Sequence, residues 1–526
     1  MFISWYLIDI RNLKRSLRES FGKPPQKQDY AIGSIESYHV YRSASVDILE
    51  RVDALTWNDL DMDKVFRRIN ACQSSVGEEY LYSCLHEPQF NLEKLELREK
   101  FISRMSEQPE TCFKIRMRLA RLGKVNFNGL AELIYGVDKK ALEPTDIYSV
   151  LAIMPILCAG LLFINILVGI VSVVAALTLN TVINLKNRRK IESSFTAVQY
   201  FLAMLFCCEK IKKIAGIQDE QHIARLCESF RVFKPLMRRS AENITASSNE
   251  TGMLKEFSRA WFLSDIRNYN KIIGAIVKNK EQFHDLYKRL GEIDLAISVL
   301  SFRESLNFWC NPDFRDESRI DFKEIYHPLL SAPVMNDGFI YKNSIITGSN
   351  ASGKSTFIKT LAVNGILAQS IFTCTAQVYA ARPALVMTSM ALRDDISEGE
   401  SYFITEIKSL KRILDKIKEV YCVCYIDEIL RGTNTTERIA ASASILEYIS
   451  GLDCLCLAAS HDIELAEMLD GLVDNYHFRE EIADRGMIFD YKIKNGVANT
   501  RNAIKLLRYM GFENAIVEKA ENLADK

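Results

Sequence analysis

The feature that most constrains this chain is a glycine-rich loop between two apolar stretches of different periodicity. The segment 348–355 fits the pattern G-x-x-x-x-G-K-[ST] without a mismatch. The residues Ser344-Ile345-Ile346-Thr347 predict a buried strand before the loop, and the helical spacing of apolar positions in 356–369 predicts a helix after it. This order predicts an α/β domain that binds a nucleoside triphosphate together with Mg²⁺.

The residues of this loop have distinct predicted roles. The loop glycines allow backbone N–H groups to close around the phosphates. Lys354 is expected to reach the β- and γ-phosphates, and Ser355 to ligate Mg²⁺. The predicted nucleotide-binding residues are Gly348, Ser349, Asn350, Ala351, Ser352, Gly353, Lys354, Ser355 and Thr356.

Two adjacent acidic residues are candidates for binding Mg²⁺ and for polarising the attacking water, roles that the loop residues do not fill alone. Asp427 and Glu428 directly follow the apolar run 421–426, which predicts a buried strand. Asp427 is then placed to hold the magnesium shell, and Glu428 to polarise the attacking water. Asp394 and Asp395 are weaker candidates and fit a solvated turn better.

A histidine follows another apolar run. His461 comes shortly after residues 455–458, which predict a strand running in the same sense as the one before Asp427. A single histidine usually has a structural role. Because parallel strands end at the same edge of a sheet, His461 is here expected to sense the γ-phosphate or the attacking water.

Length and composition limit the remaining possibilities. The 526 residues suffice for about three domains of roughly 150 residues. Lys plus Arg and Asp plus Glu number 67 each, so bulk charge gives no support for a protein that coats nucleic acid. The thirteen cysteines are predicted to be reduced thiols. The closely spaced pairs 422/424 and 454/456 are expected to be core residues of two strands rather than zinc ligands.

A long uncharged run interrupts the chain. Residues Ile147–Leu185 contain no charged side chain across 39 positions, enough for two spanning helices of about 20 residues. Basic residues flank both ends, at 139–140 and at 186–190. Positive flanks mark the cytosolic side, so an even number of crossings is expected, as in a transmembrane helical hairpin. The alternative is a buried hairpin in the core of a soluble protein. The first ten residues are too short to span.

The remaining segments complete the predicted organisation. Helical patterns flank the uncharged run, and strands alternate with helices from about residue 312. The predicted divisions are an N-terminal segment (1–45), the first section of a helical core (46–145), the hairpin (146–186), the second section of that helical core or lever (187–308), an ATPase domain (309–500) and C-terminal helices (501–526).

The segment Lys186–Arg239 is basic, with 12 basic and 5 acidic residues. Contact with anionic lipid headgroups is the favoured interpretation, because the basic residues start beside the uncharged run. A nucleic-acid track is the alternative.

Taken together, these motifs resemble the MutS family. The phosphate loop including Asn350, the run 427–435 after the acidic pair, Ala459-Ser460-His461 and the segment 398–406 resemble that family's ATPase motifs. Weaker likenesses upstream, in 55–60 and at Ile293-Asp294, resemble the MutS helical core. The resemblance implies a P-loop ATPase domain of the ABC type with a parallel-rich sheet, preceded by an all-α core into which the hairpin is inserted.

The resemblance also implies roles for three further residues. Phe314 would stack on adenine, and His327 in Tyr326-His327-Pro328 would lie at the nucleotide site. Ser401 would reach the nucleotide of the opposite subunit, which implies a homodimer with composite sites; the C-terminal helices would help dimerisation. Leu430 stands where a glycine is common. About 50 residues precede the core, too few for mismatch-reading and connector domains.

The sequence therefore predicts a membrane-anchored, MutS-like ATPase that hydrolyses ATP with Mg²⁺. It would lie at the cell membrane with its N-terminal and ATPase parts in the cytoplasm, and hydrolysis would move its helical levers. The alternative is a DNA-binding repair or recombination factor tethered at the membrane. A transporter-type ATPase is disfavoured, since two short helices supply too little membrane protein for a pathway.

Overall fold

The computed structural model describes residues 2–26, 31–46, 48–136, 145–214, 221–244, 260–349, 352–390, 402–430, 433–483, 486–497, 507–508 and 510–524. The chain forms two compact units. The first, called the helical unit here, comprises residues 1–47, 70–83 and 101–301. The second, called the α/β unit, comprises residues 48–69, 84–100 and 302–526.

Helices make up the described part of the helical unit. In chain order they are α1 (Phe2–Ser20), α2 (Ile32–Ile35), α3 (Ser37–Ser45), most of α6 (Ser75–His86), the end of α7 (Leu92–Glu107), α8 (Pro109–Leu122), α9 (Leu130–Gly136), α10 (Thr145–Gly160), α11 (Ile166–Lys212), α12 (Gln221–Ile244), α13 (Ser264–Lys278) and most of α14 (Lys280–Glu304).

A buried carboxylate joins two of these helices. Asp294 of α14 is fully buried and accepts hydrogen bonds from the backbone N–H groups of Gln73 and Ser74, at 3.0 and 2.8 Å. It thereby satisfies donors at the N-terminal end of α6. Gly77 makes this approach possible, since a Cβ atom there would lie 2.2 Å from the Asp294 carboxylate. The predicted core likeness at Ile293-Asp294 thus corresponds to a packing contact.

A second buried acid makes the stability of this unit depend on pH. Glu79 accepts a hydrogen bond from the Tyr287 hydroxyl at 2.6 Å and another from the Asn128 side chain. Burial raises the pKa of Glu79 to about 8. Because the folded state holds this proton more tightly than the unfolded state, its contribution to stability is full below about pH 4.5. It is lost as the pH rises through about 8.

Replacing Glu79 by glutamine should remove this dependence. Between pH 5 and pH 8, the wild-type free energy of unfolding should fall by on the order of a few kcal/mol relative to Glu79→Gln. Urea unfolding followed by helical circular dichroism at both pH values measures this difference. An equal pH response in both proteins would show that Glu79 is not protonated in the folded state.

The uncharged run forms a helical hairpin in the helical unit. α10 continues into a single 3₁₀ turn at Leu161–Phe163, and α11 then runs for 47 residues. Asp146–Phe163 and Ile166–Asn187 have the length and apolar composition that a membrane crossing requires. Both stretches are largely uncovered within the protein, with 17% of each buried. The structure therefore does not bury this run inside a soluble core.

The α/β unit contains every strand of the described chain. Its strands are β1 (Asp313–Phe314), β2 (Ile320–Ile325), β3 (Asn336–Ile340), β4 (Ser344–Thr347), β5 (Val378–Ala381), β6 (Leu385–Ser389), β7 (Cys422–Asp427), β8 (Cys454–Ser460), β9 (Asp474–Ala483) and β10 (Gly486–Asn495). Its helices include α4 (Ala54–Asp59), α5 (Met62–Ile69), α15 (Lys354–Ile371), α16 (Tyr402–Ile417), α17 (Thr435–Ser450), α18 (Ile463–Met468) and α19 (Asn514–Ala524).

The strands form two sheets. A four-stranded sheet has the order β1-β5-β2-β3, and a six-stranded sheet has the order β10-β9-β4-β8-β7-β6. In the second sheet all neighbours are parallel except the β9–β10 hairpin. This confirms the predicted parallel-rich α/β domain and the helical region before it. The four cysteines of the two close pairs lie buried on β7 and β8, as predicted.

The α/β unit also includes a segment from early in the chain, and the predicted division at 308/309 stays a prediction. Helices α4 and α5 belong to the α/β unit. Asp59, at the end of α4, accepts hydrogen bonds from the Thr388 hydroxyl at 2.6 Å and the Met390 N–H at 3.1 Å. The early segment is therefore attached to the end of β6, a long-range pairing that no local pattern in the sequence reveals.

Two buried arginines hold the C-terminal end of α15. Arg303 donates to the carbonyl oxygen of Phe372 at 2.9 Å, and Arg98 donates to that of Ser370. Arg303 also forms a two-pronged pair with Glu99, at 2.9 and 2.6 Å, and lies over the Trp309 ring. Cations at a helix C-terminus satisfy its free carbonyl groups and oppose its dipole. The far end of the loop-bearing helix is thus fixed by charge.

Candidate nucleotide site

The glycine-rich loop has the backbone that its sequence predicts. It lies between β4 and α15, and Gly348 and Gly353 have φ angles of +140° and +104°. The buried Lys354 donates from Nζ to the carbonyl oxygens of Gly348 and Ser349, at 2.6 and 2.8 Å. The lysine ammonium is therefore positioned inside the loop. Asn350 and Ala351, both predicted phosphate-binding residues, lie outside the described residues.

The loop shares one sheet edge with the acidic pair. Thr347 pairs with Ser460 on β8, and Ala459 of β8 pairs with Asp427 at the end of β7. Neighbouring strands are about 4.8 Å apart, so the ends of β4 and β7 are about 10 Å apart. The three predicted motifs therefore meet at the C-terminal ends of parallel strands, as the sequence predicted.

Asp427 is suited to hold a cation. Its side chain is buried, and Oδ1 has no hydrogen-bond partner among the residues that the structure describes. A buried carboxylate oxygen without a partner is costly unless a positive group compensates it. In the described ranges, no group of three or more His, Cys, Asp or Glu side chains is placed so that it could hold a metal ion by itself. Mg²⁺ bound here would thus rely on Asp427, Ser355, phosphate oxygens and water, the usual pattern for this ion.

Glu428 and His461 form a direct pair. The Nε2 atom of His461 lies 2.8 Å from Oε1 of Glu428. The backbone N–H of Glu428 donates to the Ala459 carbonyl at 3.0 Å, although its φ angle of +58° is unusual for a non-glycine residue. Strained backbone of this kind is concentrated at functional sites. The contact with His461 therefore holds the Glu428 carboxylate in place just after the end of β7.

A salt bridge not foreseen from the sequence supports His461. Arg438 of α17 donates to both carboxylate oxygens of Asp462, at 2.9 and 2.6 Å. Hydrogen bonding to Asp462 raises the pKa of Arg438, so the guanidinium stays charged. This two-pronged pair fixes the residue next to His461 and positions the imidazole. In the sequence, the motif around His461 pointed to this region, but nothing indicated that Arg438 pairs with Asp462.

Leu430 adopts a backbone conformation that explains why glycine would suit this position. Its φ angle is +58°, and its N–H donates to the carboxylate of Glu406 from α16. The left-handed conformation costs about 1–2 kcal/mol for a residue with a side chain. Leu430 is only 4% exposed within the apolar core, and such burial contributes about 1.5–3 kcal/mol. Burial therefore outweighs the strain.

Phe314, which was predicted to stack on adenine, lies far from the loop in the described structure, and its contact with the nucleotide stays a prediction. The Phe314 ring lies 6.1 Å from that of Phe372, the residue that ends α15. The loop lies at the opposite end of this 18-residue helix, about 27 Å away. A motif match in sequence does not reveal this through-space separation.

His327 has a local role in the described structure. Its Nδ1 accepts a hydrogen bond from the backbone N–H of Leu329 at 3.3 Å. Burial lowers the pKa of His327 to about 4, so its ring is neutral at physiological pH. No contact between His327 and the loop is present among the described residues. Its predicted contact with the nucleotide stays a prediction, as does that of Ser401, which lies outside the described ranges.

The structure instead brings Tyr491 to the loop. A Cβ atom added at Gly353 would lie 3.0 Å from Cδ1 of this tyrosine, which comes from β10. Asn336 holds the irregular part of β10, because its side chain donates to the Tyr491 carbonyl and accepts from the Ile493 N–H. The ring is 42% exposed. Tyr491 could not be found from the sequence, since it belongs to no motif and is distant from the loop along the chain.

The α/β unit is similar in sequence to known proteins. Residues 344–526 match the family model described as MutS domain V. MutS protein homolog 4 of Mus musculus is 31% identical over 264 residues, covering 46% of this chain and 27% of that protein.

Bacterial proteins match over similar lengths. The DNA mismatch repair protein MutS of Leptospira interrogans is 28% identical over 48% of this chain and 32% of its own length. The protein of the same name from Thermotoga maritima is 27% identical over 59% of this chain and 38% of its own length. The alignments thus span between about a quarter and two fifths of these curated relatives.

Proposed function

The chain belongs to the MutS family, and we propose that it binds ATP with Mg²⁺ and hydrolyses it to ADP and phosphate. One observation above all supports this proposal. The Glu428–His461 pair lies at the same sheet edge as the loop that holds Lys354. Phosphoryl transfer to water requires a carboxylate that positions the water, a side chain that orients this carboxylate, and a lysine that binds the phosphates.

In the proposed reaction a water molecule attacks the γ-phosphorus, and the bond to the β,γ-bridging oxygen breaks. Glu428 accepts the proton of this water, and His461 keeps the carboxylate oriented. Lys354 stabilises negative charge on the phosphates. Asp427 and Ser355 would hold Mg²⁺, which would supply positive charge to the phosphate oxygens.

We infer that Tyr491 supplies a stacking surface for the base. Replacing it with alanine should raise the Kd for ATP by about 5- to 100-fold, since base–aromatic stacking contributes about 1–3 kcal/mol. Tyr491→Phe retains the ring and should bind like the wild type. Tyr448→Ala, at a 52% exposed position on α17, is the matched control. Titration calorimetry with a non-hydrolysable ATP analogue measures the three values. An unchanged Kd for Tyr491→Ala would remove this role.

We propose a homodimer in which Ser401 completes the site of the opposite subunit. The support is the family membership and the resemblance of segment 398–406 to the family's trans-acting segment. Mixing Lys354→Ala with Ser401→Ala protein should restore ATPase activity, because one site of each mixed dimer then has both wild-type residues. If Ser401 acts within its own subunit, the mixture stays inactive.

We also propose that the hairpin of α10 and α11 anchors the protein in the cell membrane, with the remainder in the cytoplasm. Uncovered apolar surface on both helices supports this, together with the basic residues at both ends of the run. Flotation of the purified full chain with anionic vesicles tests it. Protein left at the bottom of the gradient would contradict it.

ATP hydrolysis would act on the helices through α15. This helix begins at the loop, and its other end is held by Arg98 and Arg303. Arg303 belongs to α14, which is one continuous helix from Lys280 to Glu304. We propose that movement of α15 is transmitted to α14 through these hydrogen bonds.

A basic cavity in the helical unit favours the alternative function, DNA binding. It has a volume of about 660 Å³, and basic side chains from α1, α8 and the end of α11 line it. These are Lys14, Arg18, Lys114, Arg118, Arg121, Lys210 and Lys213. Such a cluster could hold the phosphates of a nucleic acid. Gel shifts over a range of salt concentrations test this: phosphate contacts give a steep loss of affinity with salt. Absence of binding at low salt, with and without ATP, would exclude it.

A further inference from the structure

We propose that the hairpin enters the bilayer from one side, turns within the hydrocarbon and returns, without crossing the membrane. The inference rests on the proposed membrane anchoring and revises the two crossings expected from the flanking charges. Both ends still lie on one side of the membrane, so the basic flanks agree with either topology.

The first observation is how far the hairpin extends beyond the rest of the helical unit. Leu151 of α10 and Ile183 of α11 pack against Leu263 and Ile266, which belong to the region where α13 begins. The Asn180 side chain donates to the Trp261 carbonyl at 2.7 Å. The rest of the helical unit therefore reaches this level of the hairpin. A half-buried tryptophan here is suited to the membrane–water interface.

Only a short part of the hairpin extends beyond this level. From Leu151 to Phe163, nine helical residues and one 3₁₀ turn span about 20 Å. From Asn180 back to Ile166, fourteen residues of α11 span about 21 Å. The hydrocarbon core of a bilayer is about 30 Å thick. The turn would therefore stop near the middle of the bilayer or slightly beyond it.

The composition of the turn is the second argument. A hairpin that crosses the membrane exposes its turn to water on the far side. Here Phe163 is 95% exposed and Ile164 is 83% exposed, and Leu161–Leu167 contains no charged residue. Water is an unfavourable environment for such a turn, whereas acyl chains are favourable.

Several polar groups of the turn are hydrogen-bonded within the protein, which also suits an apolar environment. Asn165 is the one polar side chain of the turn, and Oδ1 accepts from the backbone N–H groups of Leu167 and Val168 at 3.0 and 3.3 Å. The N–H groups of Ile164 and Asn165 both donate to the Leu161 carbonyl. In hydrocarbon every backbone polar group needs such an internal partner.

Several polar groups in the arms of the hairpin also have internal partners, although Oδ1 of Asn180 and Oδ1 of Asn184 are buried without a hydrogen-bond partner among the described residues. Pro155 has no N–H group and so cannot bond the Leu151 carbonyl, four residues earlier. Asn180 of the other arm donates to this carbonyl at 2.8 Å. The hydroxyl groups of the arms donate to carbonyl oxygens of their own helix, in the pairs Ser172–Val168, Thr178–Val174 and Thr181–Leu177.

A glycine permits the compact turn. A Cβ atom at Gly169 would lie 2.6 Å from the backbone nitrogen of Leu162. The first turn of α11 therefore packs directly on the 3₁₀ turn. The two arms meet closely enough for an apex made almost wholly of apolar side chains.

A fluorophore at the apex measures its depth. Ile164→Cys is labelled with a nitrobenzoxadiazole dye in a background where Cys158, Cys227 and Cys310, the free cysteines that are not buried, are replaced by alanine. The full chain is then bound to phosphatidylcholine–phosphatidylglycerol vesicles. Quenching by lipids with a doxyl group at carbon 12 should exceed quenching at carbon 5, and iodide trapped inside the vesicles should have no effect. Quenching by the trapped iodide would overturn the proposal. Absence of flotation would instead overturn the membrane anchoring itself.

A charge at the apex gives an independent test. Ile164→Glu should lose flotation with vesicles, because the carboxylate would have to enter hydrocarbon. Val40→Glu, a 54% exposed position on α3, should float like the wild type. Retained ATP binding shows that each variant is folded. Full flotation of Ile164→Glu would overturn the proposal, because an apex in water on the far side tolerates a charge.

Discussion

Glu428→Gln is expected to lower kcat for ATP hydrolysis by about 10²- to 10⁴-fold while leaving the Kd for ATP close to the wild-type value. Glutamine has the shape of glutamate and can still contact His461, 2.8 Å away. It cannot accept the proton of the attacking water. Steady-state phosphate release and a nucleotide titration, performed on the same preparation, separate the catalytic step from binding.

The matched control is Glu447→Gln, which changes an exposed acid on α17 away from the site. It should hydrolyse ATP at the wild-type rate. If Glu428→Gln also retained full activity, another group would have to activate the water, and the assignment of Glu428 would be wrong. His461→Ala should show a smaller loss in kcat, because His461 positions the carboxylate and does not accept the proton.

Arg303→Met is expected to destabilise the C-terminal end of α15 by about 3–5 kcal/mol, because it removes the cation of a largely buried ion pair with Glu99. The Arg303 side chain is 3% exposed. The substitution also removes the hydrogen bonds that Arg303 donates to the carbonyl of Phe372 and the hydroxyl of Thr373. Hydrogen exchange in peptides covering residues 366–372 should accelerate by about 10²- to 4 × 10³-fold, since about 1.4 kcal/mol is a factor of ten.

Arg315→Met is the control for this comparison. Arg315 pairs with Asp313 and Asp321, but half of its side chain is exposed. Exposed pairs contribute about 0–1 kcal/mol, so exchange in the same peptides should be unchanged. Equal exchange in Arg303→Met and the wild type would show that the hydrogen bonds to Phe372 and Glu99 do not hold this helix end.

Much of the site followed from the sequence because its motifs are local. A strand, a glycine-rich loop and a helix specify their own geometry, and β4 and α15 lie where the pattern predicts them. The apolar runs before Asp427 and His461 likewise predicted β7 and β8. Parallel strands end at a common edge, so the meeting of these motifs could be inferred without coordinates.

The remaining features depend on contacts between distant segments. Tyr491 reaches Gly353 only because a hairpin places β10 near the loop and Asn336 fixes its irregular backbone. Phe314 was assigned by motif resemblance, although α15 separates it from the loop by its full length. The attachment of α4 to β6 similarly joins residues more than 300 positions apart. No periodicity in the sequence encodes such pairings.

The most direct test of the central claim is ATP hydrolysis by the purified full chain, with and without Mg²⁺, for the wild type and Lys354→Ala. The buried ammonium of Lys354 lies within the loop, so its loss should abolish nucleotide binding and turnover. We predict phosphate release by the wild type that requires Mg²⁺ and disappears in Lys354→Ala. Equal release by the two proteins, or none by the wild type with Mg²⁺ present, would contradict the proposed function.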